Sequence, residues 1–85
     1  MKRYVVVFRS RTDVLSFISD FNFNGGSARA VETPRQAAVG CGISAEITFS
    51  QVNLAQKLIK IRKYQSYFGI FRLYKRGSKV IVERI

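Results

Sequence analysis

The segment Arg3-Tyr4-Val5-Val6-Val7-Phe8-Arg9 is apolar on both of its alternating faces, Tyr4, Val6 and Phe8 on one and Val5 and Val7 on the other. Side chains of a strand point to opposite faces in turn. A strand that is apolar on both therefore belongs in the middle of a sheet, not at its rim. In a chain of 85 residues, 47% of them apolar, there is material for one modest core. The reading is a single domain over residues 1–85, with this strand at its centre.

The rest of the chain alternates helix and strand signals around that centre. Ser10 or Thr12 can cap a helix, with Asp13 in its first turn. Val14, Leu15, Phe17, Ile18 and Phe21 then recur at helical spacing, and Asn24-Gly25-Gly26 ends the helix. Residues 27–32 read as a short strand, and Pro34 opens a loop or single helical turn over 34–41. From Gly42 to Phe49 apolar and polar residues alternate. Ile43, Ala45, Ile47 and Phe49 should face the core, and Ser44, Glu46 and Thr48 the solvent. Ser50 is the candidate cap of a second helix, with Val52, Leu54, Ala55, Leu58, Ile59 and Ile61 as its buried stripe. Residues 67–75 and 79–84 read as strands joined by a tight turn at Arg76-Gly77-Ser78.

This order predicts an α+β, ferredoxin-like βαββαβ sandwich with an extra C-terminal hairpin strand. Two helices should cover one face of an antiparallel sheet.

The composition excludes several chemistries. There is no histidine, which removes the commonest general base and metal ligand. One cysteine cannot make an internal disulfide or, alone, a zinc site. The five carboxylates, Asp13, Asp20, Glu32, Glu46 and Glu83, show no paired spacing. No cofactor and no metal site is implied, and turnover catalysis is not expected. No run of roughly 18 apolar residues is present, so a membrane span is not expected. The apolar run at the N-terminus ends at Arg9 and is too short for an export signal. With a lone thiol, the expected setting is the reducing cytoplasm.

What chemistry remains centres on Thr33-Pro34-Arg35-Gln36-Ala37-Ala38-Val39-Gly40-Cys41-Gly42-Ile43. Gly40 and Gly42 flank the thiol and would give access to it. Pro34 would fix the loop, and Arg35 brings a charge that favours a thiolate if it lies nearby. In the expected topology the first and third strands are adjacent and antiparallel. Cys41 should then lie near Arg9, Ser10 and Arg11, where free helix N–H groups also favour an anion. The plainer reading is an inert, half-buried cysteine acting as a small apolar residue.

The same segment resembles a motif of the selenium/sulfur carrier protein-like family: a Pro-Arg pair, a short spacer and Cys-Gly before an apolar strand. The resemblance extends in layout over about residues 3–74 and is sharpest over 33–43. It implies a ferredoxin-like fold with Cys41 as the carrier thiol, which would hold sulfur or selenium as a persulfide or selenopersulfide. It implies donor and acceptor proteins as partners. Where family members have serines before Cys-Gly, this chain has Ala37, Ala38 and Val39.

Two other readings compete with a carrier. The net charge is +10, and no acid lies between Glu46 and Glu83. Lys57, Lys60, Lys63, Arg72, Lys75 and Arg76 could bind nucleic acid or an acidic protein. Tyr67-Phe68-Gly69-Ile70-Phe71 echoes the aromatic core of RNA-recognition domains, but on the fourth strand instead of the third. Phe68, Phe71 and Tyr74 are therefore assigned to packing. The last strand, with Val80-Ile81-Val82, would form a sheet edge through which a homodimer could assemble.

Overall fold

The computed structural model describes residues 2–85; Met1, the first residue of the expected domain, lies outside the described residues. β1 (Arg3–Phe8) leads into α1 (Arg11–Phe23), then β2 (Arg29–Glu32), β3 (Ile43–Ile47), α2 (Val52–Arg62), β4 (Tyr67–Arg76) and β5 (Lys79–Arg84). The strands form one sheet in the order β2-β3-β1-β4-β5, and every neighbouring pair is antiparallel. β1 is in the centre, as its two apolar faces require.

Each face of β1 is buried by a different device. On one side Tyr4, Val6 and Phe8 pack with Ala45, Ile47 and Ile70, beneath Val14, Phe17 and Phe21 of α1 and Val52, Ala55 and Leu58 of α2. On the other side Val5 and Val7 pack with Phe71 and Leu73. Among the described residues no α-helix covers that second face. The irregular segment between β2 and β3 does so, through buried Ala37 and part-buried Val39. Of the residues that precede Cys41, Ala37 and Val39 are thus packing residues, whereas Ala38 is exposed.

α1 begins and ends where local chemistry dictates. The Ser10 hydroxyl accepts from the Asp13 N–H at 3.2 Å, which satisfies one of the unpaired donors of the first turn. Asn24 closes the helix, and Gly25 follows at φ +92°, a conformation that strains other residues. Gly77, at φ +64°, likewise makes the two-residue turn between β4 and β5.

Several expectations are corrected. Ser44 does not face solvent: it is fully buried and shares a 2.6 Å hydrogen bond with the Thr33 hydroxyl. Phe49 does not continue β3 into the core. The strand stops at Ile47, and Phe49 opens a 3-10 turn over Phe49–Gln51 with its ring exposed. Ser50 lies inside that turn and does not cap α2, whose N-cap position is Gln51, without a side-chain cap. Leu15 and Ile61 are exposed, because the helices present only a narrow stripe to the sheet. No helix is long and apolar enough to cross a membrane among the described residues.

Candidate functional site

The loop from Thr33 to Gly42 leaves β2 and returns to β3, and is closed at its base by the Thr33 N–H donating to the Gly42 carbonyl at 3.0 Å. Pro34 sits at the N-cap of a 3-10 turn over Arg35–Ala37, its ring setting the backbone φ at −56°. The Ala37 and Ala38 N–H groups fold back on the carbonyls of Pro34 and Arg35. Gly40 adopts φ +106°, which turns the chain toward the sheet and explains a glycine there. Gly42 has no such conformation, and open space surrounds the position its Cβ would take.

Cys41 is 8% exposed. It belongs to the helix-side cluster that contains Phe8, Val14 and Phe17. Its Sγ donates to the Ile43 carbonyl at 3.4 Å, so the closed loop holds the sulfur as an S–H donor in apolar surroundings. The flanking glycines therefore do not expose the thiol; Gly40 supplies the turn that tucks it in.

Of the cations expected around the sulfur, Arg9 is held elsewhere. The Arg9 guanidinium lies over the Phe68 ring, 5.1 Å from its centroid, and Phe68 packs against the opposite face of the sheet from Cys41. Arg11 and Arg35 are exposed and make no ion pair among the described residues. The N-terminus of α1 is also occupied. The Asp13 carboxylate accepts from the Ser66 N–H at 3.0 Å and the Ser66 hydroxyl at 2.5 Å. The Ser10 N–H donates back to the Ser66 Oγ at 3.1 Å, and the Arg9 N–H to the Ser66 carbonyl at 2.8 Å. This knot ties the start of α1 to the α2–β4 connection and already supplies an anion to the helix dipole. Nearby, the Tyr64 hydroxyl donates to Asp20 at 2.5 Å, and burial together with that carboxylate pushes its ionisation well above the ordinary tyrosine range.

The six basic residues considered for nucleic acid do not form one surface. Lys57 and Lys60 lie on α2, and Lys63 is its left-handed C-cap at φ +53°. Arg72 and Arg76 share the helix side of β4, whereas Lys75, one position away from each in the alternation, faces the other side. Arg72 is moreover bonded to Glu83 at 2.6 Å.

The lid function of Ala37 and Val39 and the Thr33–Ser44 pair escaped the sequence reading. One signal for the lid was available: Val5 and Val7 need a cover, and both helices are already committed to the other face. No curated protein and no solved structure gives a match. The model of the family described as Putative Se/S carrier protein-like matches residues 3–68, from β1 to the start of β4 with the whole Cys41 loop inside it, and the chain belongs to that family.

Proposed function

We propose that this protein carries sulfur or selenium on Cys41 between a donor and an acceptor protein. The observation that carries the reading is the family match over residues 3–68, which spans the loop holding the chain's one thiol. The element order, with strands β2-β3-β1-β4 and β5 added at the edge, supports a ferredoxin-like reading of the scaffold. A lone thiol also fits a reducing cytoplasm.

The chemistry is thiol exchange. With the loop open, the Cys41 thiolate attacks the outer chalcogen atom of a donor persulfide, R–S–SH or R–S–SeH. A bond forms from Cys41 Sγ to that atom, the donor's own bond to it breaks, and the donor leaves as the thiolate R–S⁻. The product on the protein is Cys41–S–SH or Cys41–S–SeH, and no electrons are gained or lost overall. An acceptor thiolate repeats the step in the other direction. Burial of Sγ beside Phe8 and Phe17 then has a use, because a covered persulfide is shielded from stray thiols until the loop opens.

The test is intact-mass spectrometry without reductant after incubation with a cysteine desulfurase and cysteine. A gain of about 32 Da that is absent from Cys41→Ser supports the carrier, and no adduct when a control thiol protein is labelled makes Cys41 a packing residue.

A further inference from the structure

Phe49 is 72% exposed, yet its ring is seated against buried Tyr4 with centroids 5.4 Å apart. It stands between two recesses. One, of about 430 Å³, is lined by Lys2, Tyr4, Phe49 and Arg72. The other, of about 370 Å³, runs from Phe49 and Lys2 toward Arg29 at the end of the sheet. Lys2 and Phe49 belong to both.

From the first recess a basic strip continues along the helix side of β4 and β5. The pairing Arg72↔Glu83, Tyr74↔Ile81 and Arg76↔Lys79 puts these residues on one face, since Phe71 and Leu73 between them belong to the other cluster. The Lys2 ammonium lies over the Tyr74 ring at 5.8 Å and so shares that face. Arg76 and Lys79 are exposed and unpaired among the described residues. Glu83, the carboxylate of the strip, is already held by Arg72 at 2.6 Å and Tyr74 at 3.2 Å. At the far recess Glu46 is likewise taken by Arg3 and Arg29. The strip therefore carries net positive charge beside a fixed, accessible aromatic face.

We propose that this strip binds single-stranded nucleic acid. One base stacks on the open side of Phe49, and backbone phosphates follow Lys2, Arg76 and Lys79. A polyanion matches the charge, and every base offers a flat face to an exposed ring. A duplex keeps its bases stacked inside and cannot use Phe49. An acidic protein could also meet the cations and cover the ring, and competition by poly-glutamate separates it from a single strand. Phe49 follows the last residue of β3 and Cys41 precedes the first, so the strip lies at the opposite end of that strand from the thiol and does not depend on the carrier reading.

The test is fluorescence anisotropy with labelled oligo-U and oligo-dT of about ten nucleotides, which separate RNA from DNA preference. Three unpaired cations give a salt slope of about 2, so affinity should fall about twentyfold between about 50 and 200 mM salt. Phe49→Ala should weaken binding about 5- to 150-fold, and Phe49→Trp should restore it. Reversing Arg76 and Lys79 to Glu should weaken binding and lower the slope. The charge-matched control, Lys57→Glu with Lys60→Glu on α2, should lose much less, and Cys41→Ser should bind as the parent does. Circular dichroism on each variant separates lost binding from lost fold. Four results would each overturn the proposal: no binding at low salt, parental binding by Phe49→Ala, equal loss in the α2 control, or a duplex or poly-glutamate competing as well as the single strand.

Discussion

Ser44→Ala probes whether the Cys41 loop is a closed lid. Ser44 is fully buried, and its hydroxyl lies 2.6 Å from that of Thr33, which is itself buried at the base of the loop. Removing one partner strands the other without a side-chain hydrogen bond, at a cost of about 1–3 kcal/mol. The penalty falls on the closed loop alone, since opening lets water reach Thr33. The open population should therefore rise about 5- to 150-fold, at a factor of ten per roughly 1.4 kcal/mol. If Cys41 reacts through opening, its alkylation by iodoacetamide should accelerate by the same factor. Thr33→Val combined with Ser44→Ala removes both hydroxyls with little change of shape, and replacing both partners is nearly neutral. The double variant should then alkylate at close to the parental rate. The assay is pseudo-first-order labelling followed by intact mass, with urea unfolding run alongside. A parental rate in Ser44→Ala, or a double variant as fast as the single, would refute the reasoning.

Three further outcomes are expected. Glu46 accepts from Arg3 at 2.7 Å, and this bond holds its carboxyl below the ordinary value of 4.5. A lowered folded-state value stabilises above the unfolded one and is lost as pH falls through the folded one. The stability gap between the parent and Glu46→Gln should be under about 1 kcal/mol, because both arginines are exposed. It should close below pH 4.5, and a gap in urea unfolding that ignores acid would count against this account. Gly26→Ala would place a Cβ 2.3 Å from the fully buried Phe21 ring. Thermal unfolding should register an overpacking loss of about 1–3 kcal/mol, and an unchanged midpoint would show that Phe21 can yield. At the loop, Gly40→Ala meets φ +106° and should cost about 1–3 kcal/mol. Gly42→Ala meets open space and should be tolerated; equal effects of the two would mean that the left-handed turn is not what Gly40 provides.

Much of the local structure was legible from short-range rules. Ser10 and Asn24-Gly25 marked the ends of α1, Gly77 marked the last hairpin, and the absence of histidine removed whole classes of chemistry. The motif around Cys41 was legible as well, and the family match includes it. The surroundings of the thiol were not. Arg9 follows the central strand closely enough to be placed beside Cys41 on paper, yet its guanidinium stacks on Phe68. That choice depends on β4, more than fifty residues further along the chain.

The sequence by itself determined that β1 is central, since a strand apolar on both faces has no favourable place at an edge. It also determined where α1 starts and stops, because caps and turns act over a few neighbouring residues. Only the tertiary structure decided what covers each face. Ser44 and Thr48 look alike in an alternating pattern, but the first is buried and bonded to Thr33 while the second is exposed. Ala37 and Val39 became a lid, Phe49 an exposed ring and Cys41 a buried sulfur for the same reason. Burial belongs to whatever packs against a residue, and here the packing partner comes from a distant part of the chain.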